Sequence, residues 1–188
     1  DRSPYRCGKL IRILSPFETM CRIGSVDNNQ KILLLGNSHA DAIKTTFANV
    51  MDNKGISTYF TVDNEPLYSS NSVKELKNDI EKLKIKTVVI HNDIYGSQDL
   101  VKHLKKFIKI MADKEIEVFF VAPVPIYENP IHIPKFLYTR NLDDTISLPR
   151  LNAEDYLNVN IHFFNFIKSS KIPTNKVFLP HTFICKKK

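Results

Sequence analysis

The sequence predicts a three-layer α/β/α sandwich built around a mainly parallel sheet. Two observations support this fold class. Short continuous apolar runs are typical of strands buried on both faces, and amphipathic helical segments alternate with them along the chain. The 188 residues are 43% hydrophobic and 25% charged, which fits a globular protein with one core. No apolar run approaches the roughly 18–20 residues that a membrane-spanning helix needs.

The chain is predicted to divide into an irregular leader segment over residues 1–30 and an α/β domain over residues 31–188. The leader contains prolines, glycines and two of the three cysteines. The domain begins with a continuous apolar run at residues 31–35, which predicts a buried strand. This run stops at Gly36-Asn37-Ser38, a sequence suited to a turn and a helix start, and apolar residues then recur at helical spacing to about Asn53.

The same alternation continues through the rest of the chain. Further strands are predicted at residues 56–62, 87–90, 118–121 and 177–179. Further helices are predicted at residues 73–83, 97–114 and 152–168, with a long proline-rich loop before the last of them. In open parallel sheets ligands bind at the carboxyl ends of the strands, so functional residues are expected in the loops that follow them.

The three cysteines are unevenly spaced. Cys7 and Cys21 lie close together near the start, which fits a disulfide closing a short loop in an oxidising compartment. Cys185 stands alone near the end and suggests a partner that is missing from these residues. Three reduced thiols in a cytosolic protein are the alternative. No Cys or His spacing predicts a zinc site.

The charge is basic, with 27 Lys+Arg against 20 Asp+Glu and a net charge of +7. The lysines fall mainly on two predicted helices, at Lys74, Lys77, Lys82 and Lys84 and at Lys102, Lys105, Lys106 and Lys109. A basic balance is compatible with a nucleic acid, an anionic membrane surface or an acidic glycan. Because the charge is spread over the chain, we expect a solvated lysine-rich surface and no nucleic-acid partner.

Ser38 is the strongest candidate for chemistry. It follows a buried strand and precedes a helix, where a sharp turn exposes a hydroxyl and the helix N-terminus favours an oxyanion. A serine in this position also serves as an ordinary helix N-cap. Position alone leaves both interpretations open.

The run Leu33-Leu34-Leu35-Gly36-Asn37-Ser38-His39-Ala40 resembles the first sequence block of the SGNH hydrolase superfamily, which has a flavodoxin-like α/β fold. The His-Ala pair after the serine is similar to one branch, the periplasmic SGNH domains fused to membrane-bound O-acyltransferases of bacterial surface polysaccharides. The apolar strand before the block, Cys21-Arg22-Ile23-Gly24 upstream and the late cysteine also resemble that branch.

The resemblance implies a role for several residues. Ser38 corresponds to the nucleophile, which forms an acyl-enzyme, and its backbone N–H to part of the oxyanion hole. Asn92, in Ile90-His91-Asn92-Asp93, corresponds to the asparagine of the third block, whose side chain donates to the oxyanion. His39 is expected to position the turn or to contact substrate, and Asp93 to contact substrate. A loop Asn-Asp after a strand is also common turn chemistry, so Asn92 keeps a purely structural alternative.

The partners follow from the same resemblance. The acyl group, commonly acetyl, would arrive from a membrane acyltransferase domain and pass to a surface polysaccharide or oligosaccharide acceptor. No metal and no soluble cofactor are implied. The domain is expected to be exported, on the periplasmic or extracytoplasmic face of a bacterial membrane, tethered through an N-terminal membrane domain.

The chain departs from the family pattern at several points. Asn37 replaces the usual aspartate of the first block, and Ile90 replaces the glycine of the third. Asp63-Asn64-Glu65 occupies the loop where the second block would supply a glycine N–H. No histidine has an aspartate three residues before it, so the Asp-x-x-His block that supplies the acid and general base is missing.

Three explanations for the missing base remain open. In the family this block follows the late cysteine, so the first is that the domain is C-terminally incomplete, with the base and the partner of Cys185 beyond Lys188. The second makes His181 a substitute base. The third is a degenerate domain that binds carbohydrate without catalysis, since a serine without a base is a poor nucleophile.

Two further classes of function are alternatives to acyl transfer. A free-standing SGNH carbohydrate esterase would use the same serine and pass the acyl group to water. A Rossmann-like nucleotide binder is disfavoured, because the first strand leads into Gly-Asn-Ser-His without the glycine spacing that holds a pyrophosphate.

Overall fold

The computed structural model describes Cys7 and residues 9–14, 17–94, 96–124 and 153–184. The strands are β1 Met20–Ile23, β2 Lys31–Gly36, β3 Ser57–Thr61, β4 Thr87–His91, β5 Glu117–Val121 and β6 Val177–Phe178. The helices are α1 Lys9–Leu14, α2 Ser38–Asp52, α3 Ser70–Lys82, α4 Gln98–Asp113, α5 Ala153–Val159, α6 Ile161–Ser169 and α7 His181–Ile184. Within these residues, no helix has the length and apolarity needed to cross a membrane.

One six-stranded sheet runs through the domain in the order β1-β3-β2-β4-β5-β6. Every neighbouring pair is parallel except β1 with β3, which is antiparallel. From β2 the chain continues to β3 on one side and from β4 to β5 on the other, so the sheet has a switch point between the adjacent strands β2 and β4. The predicted α/β fold class with a mainly parallel sheet is confirmed.

The central strand β2 is buried on both faces, as its continuous apolar sequence predicts. Leu33 and Leu35 pack into the larger core, beneath α3, α4 and α6. Ile32 and Leu34 point to the other face and pack with Ala40 of α2. Alternate residues of one strand therefore supply both cores, which is the geometry of a three-layer sandwich.

The leader segment is not irregular throughout, which corrects the prediction for residues 1–30. Met20–Ile23 form β1 and pair with β3, and residues 9–14 form α1. A four-residue strand at a sheet edge carries little periodic signal, because its hydrogen bonds come from β3, distant in the sequence. A disulfide joins Cys7 to Cys21 across 6.0 Å between Cα atoms, within the usual range, and ties the leader to β1.

The last predicted helix is two helices, α5 and α6, that meet at Asn160. Its backbone leaves the helical region there, with φ −100° and ψ 23°. The Asn160 side chain donates through Nδ2 to the Tyr156 carbonyl at 2.9 Å, and the Asn160 backbone N–H donates to the same oxygen at 3.1 Å. An asparagine that competes for a helix carbonyl in this way is a known cause of helix interruption.

Candidate active site

The turn after β2 requires a glycine because two strands approach closely there. Gly36 pairs with His91 in the β2–β4 register. A Cβ added at Gly36 would overlap the His91 carbonyl oxygen, and would lie 2.7 Å from its carbonyl carbon and 2.9 Å from Cβ of Ala40. Since real Cβ atoms do not approach this closely, the end of β2 can contact β4 only with glycine at this position.

Asn37, and not Ser38, is the N-cap of α2. Its Oδ1 accepts a hydrogen bond from the His39 backbone N–H at 3.1 Å. An asparagine caps a helix as well as the aspartate that usually stands in this block. Ser38 is the first residue of the helix and its side chain is exposed. The N-cap interpretation of Ser38 is therefore wrong, and its hydroxyl lies at a helix N-terminus facing solvent.

Beneath this turn lies a group of three buried titratable side chains, which we call the polar cluster: His39, His91 and Asp93. The Nε2 atom of His39 lies 3.6 Å from the Asp93 carboxylate, and both side chains are 11% exposed. The His39 and His91 rings meet edge to face, with 5.5 Å between their centroids. The first turn of α2 is thus in direct contact with the loop that follows β4.

His91 is held as a neutral imidazole. Its Nδ1 lies 3.1 Å from the Val121 carbonyl oxygen, and because a carbonyl only accepts, Nδ1 carries the proton and donates. Burial lowers the pKa of His91 to about 4, and the nearby His39 acts in the same direction, against the opposing effects of the Val121 carbonyl and Asp93. The neutral ring therefore has an unprotonated Nε2 at neutral pH.

Asn92 follows the polar cluster's His91 and is itself buried, at 8% exposed. Its Nδ2 donates to the backbone carbonyl of Asp93 at 3.0 Å. A carboxamide nitrogen carries two hydrogens, so this bond fixes the side chain and leaves a second donor hydrogen. Its role as an oxyanion donor, and the substrate contacts predicted for His39 and Asp93, stay predictions.

His181 lies in different surroundings, which we call the aromatic cluster: His181, Tyr156 and Phe164. The His181 ring stacks on Tyr156 at 4.3 Å between centroids and meets Phe164 edge to face at 6.3 Å. Burial lowers its pKa, and its Nδ1 has no hydrogen-bond partner among the described residues. It follows β6, three strands from β2, which is roughly 14 Å at the usual strand spacing of about 4.8 Å.

The loop after β3 borders a cavity of about 370 Å³. Its lining is largely polar and includes the carboxylates of Glu18, Asp63 and Glu75. Because β3 is the neighbour of β2, this cavity opens at the same carboxyl edge of the sheet as Ser38. The second-block loop therefore supplies polar side chains to this edge. Within the described ranges, no three His, Cys, Asp or Glu side chains are arranged so that they could hold a metal ion.

Sequence reasoning missed one component of this site. His91 was considered only for a preceding aspartate, whereas the structure places it against His39 and the Val121 carbonyl. Its position as the last residue of a buried strand was the available signal, because a histidine there must find a polar partner. Cys185 and most of the proline-rich loop lie outside the described residues.

The family model described as "SGNH domain (fused to AT3 domains)" matches residues 6–188. The chain belongs to this SGNH family. Its members are hydrolase- or acyltransferase-type domains, which places the expected activity in the esterase and acyltransferase class. No curated protein matches the chain.

Proposed function

We propose that this SGNH domain is a serine-dependent O-acyltransferase. It takes an acyl group, commonly acetyl, from a membrane acyltransferase domain and transfers it to a hydroxyl of a bacterial surface polysaccharide. The observation that carries the proposal is Ser38, an exposed serine at the first position of α2 whose capping role is taken by Asn37. The AT3 domains named by the family are the membrane acyl donors in this scheme.

The reaction has two steps. In the first, Ser38 Oγ attacks the acyl carbonyl carbon while its proton passes to a base, and collapse of the tetrahedral oxyanion breaks the bond to the donor, whose leaving atom takes that proton from the base. In the second, an acceptor hydroxyl loses its proton to the same base as it attacks the acyl-serine, and collapse of the second oxyanion releases Ser38 Oγ, which takes the proton back. The Ser38 N–H and the free Nδ2 hydrogen of Asn92 are the proposed donors to the oxyanion in both steps.

Two further features support the proposal. Carboxylates bind sugar hydroxyls by accepting hydrogen bonds, so the polar cavity after β3 is suited to a hydroxyl-rich acceptor. The Cys7–Cys21 disulfide fits an extracytoplasmic location, because such bonds persist in oxidising compartments.

The test is acyl-enzyme trapping. The 188-residue chain and the full-length product of its gene are treated with p-nitrophenyl acetate, and the mass of the intact protein is measured. We expect an increase of one acetyl group that is lost in Ser38→Ala. The matched control is Ser70→Ala, since Ser70 is also exposed and is the first residue of α3 behind the N-cap Ser69.

The outcomes separate the possible functions. Labelling of the full-length product alone would place the base outside these residues, and labelling of both would place it within them. Partition of the acetyl group to an added oligosaccharide supports transfer, whereas release to water alone would favour an esterase. If neither form is labelled, the enzyme proposal fails and a carbohydrate-binding domain is favoured.

A further inference from the structure

Four lysines form a single row along α4, which we call the lysine stripe: Lys102, Lys105, Lys106 and Lys109. Their spacing of three, one and three residues places them on one face of the helix, over little more than two turns. All four side chains are exposed. The helix carries aspartates at its ends, Asp99 and Asp113, but none between the lysines.

The stripe is only partly balanced by its own helix, since Asp99 and Asp113 lie one turn beyond its two ends and give two negative charges against four positive ones. Within the described part of the chain, none of its four lysines forms an ion pair, whereas Lys77 and Lys114 both pair with Glu81 nearby. On α3 three lysines are balanced by three acidic residues. Like charges three and four residues apart destabilise a helix, so an anionic partner would stabilise the stripe.

The shape of this face limits the partner. The opposite side of α4 is committed to the core through Leu104, Phe107 and Met111, so the helix cannot turn over and insert into a bilayer. The exposed side carries no aromatic ring on which a sugar could stack. The cavities identified among the described residues lie elsewhere and are lined by other elements. A flat, aromatic-free row of cations matches a plane of anionic headgroups better than a single glycan chain.

We propose that the lysine stripe docks the domain on the anionic phospholipid headgroups of a membrane surface. The choice of a membrane rests on the proposed function, which places the domain beside a membrane acyl donor. α4 begins shortly after the loop that contains Asn92 and Asp93. If the domain docks through α4, the carboxyl edge of the sheet that carries Ser38 faces sideways, parallel to the membrane surface, and stays accessible.

The test is sedimentation with vesicles of equal parts phosphatidylcholine and phosphatidylglycerol, compared with vesicles of phosphatidylcholine alone. We expect the wild-type chain to bind the anionic vesicles and to be released as salt rises past about 0.15 M. A lysine near an anionic surface strengthens binding roughly fivefold, so replacing all four lysines of the stripe with glutamine should weaken it by about 600-fold.

The matched control removes the same number of charges elsewhere. It replaces four other exposed lysines with glutamine: Lys74, Lys82, Lys84 and Lys86. We expect this variant to bind within about threefold of wild type. Equal losses in both variants would mean that net charge, not the stripe, drives binding, and would overturn the proposal.

Two other results would also overturn it. One is a wild-type chain with no preference for the anionic vesicles. The other is tighter, stripe-dependent binding to soluble polygalacturonate than to vesicles, which would make the partner an acidic glycan. Circular dichroism checks that both variants fold. Ser38→Ala should bind vesicles like wild type, so failure of docking and failure of acyl transfer are read separately.

Discussion

The polar cluster and the aromatic cluster lie at the same carboxyl edge of the sheet. Each contains a histidine at the end of a strand, since His91 is the last residue of β4 and His181 follows β6. In the polar cluster His91 donates to a backbone carbonyl and faces a second histidine. In the aromatic cluster the His181 ring stacks on Tyr156 and meets Phe164 edge to face. Its buried Nδ1 has no hydrogen-bond partner among the described residues. The same residue type therefore supports a polar site at one end of the edge and packs as an aromatic ring at the other.

The difference between these clusters shows what gives a histidine its role. Both histidines lose charge through burial, which lowers each pKa. Only His91 is also oriented, because a hydrogen bond fixes its tautomer and direction. A histidine at a strand end thus belongs to the candidate site when polar groups from neighbouring strands reach it.

The largest loss of stability is expected from Gly36→Ala, a change that disturbs the polar cluster but not the aromatic cluster. The added methyl group collides with the His91 backbone and with Ala40, so the end of β2 must separate from β4. We expect the free energy of unfolding, measured by urea denaturation, to fall by about 4 kcal/mol.

The control for this change is Gly55→Ala, where φ is +70° and the nearest atom to an added Cβ is 3.8 Å away. Because the alanine at this position would be strained only in its backbone, we expect the free energy of unfolding to fall by about 1 kcal/mol. Similar losses in the two variants would contradict the close approach described for Gly36.

The pH dependence of stability should distinguish His91 from the rest of the chain. Its folded pKa of about 4 lies below the ordinary value of 6.5, so the unfolded chain binds the extra proton in that interval. Stability is therefore expected to fall as pH decreases from 6.5 towards 4, by about 3 kcal/mol in total from this group.

The check is urea denaturation at several pH values in wild type and His91→Gln. The variant lacks the His91 ring, so its stability should change less with pH over this interval. If the free energy of unfolding of His91→Gln changed with pH as steeply as that of wild type, the acid sensitivity would belong to other groups.

The smallest effects come from exchanging each histidine for phenylalanine. In His91→Phe the part-buried Val121 carbonyl loses its donor, so we expect the free energy of unfolding to fall by about 2 kcal/mol. In His181→Phe an unpaired buried nitrogen is removed and the stacking on Tyr156 is kept, so stability should stay within about 0.5 kcal/mol of wild type. Thermal denaturation of both variants tests the contrast, and equal losses would remove the distinction between the clusters.

The sequence predicted most of the fold because its signals are local. The runs at 31–35, 87–90 and 118–121 became β2, β4 and β5, with small shifts at their ends. The pairing of β1 with β3 and the break at Asn160 were not predictable in the same way. Each depends on a hydrogen bond whose partner is chosen by the surrounding structure.

The candidate site was predicted in its residue types but not in its contacts. Ser38 was identified from its place between a strand and a helix, and its role as nucleophile stays a prediction. The capping role of Asn37 and the contact of His39 with Asp93 were not predicted. Side chains from two strands meet only after the strands pair, so no local pattern reports that they are neighbours.

By itself the sequence determined the alternation of strands and helices, the glycine turn before Ser38 and the basic charge of the chain, since each depends on residue type and spacing. Tertiary structure alone decided which histidine is oriented and which is merely packed. It also decided that, among the described residues, the lysines of the stripe form no ion pair while Lys77 and Lys114 both pair with Glu81. Burial and pairing are properties of assembled elements, because hydrogen bonds and ion pairs require groups that the chain brings together from distant positions.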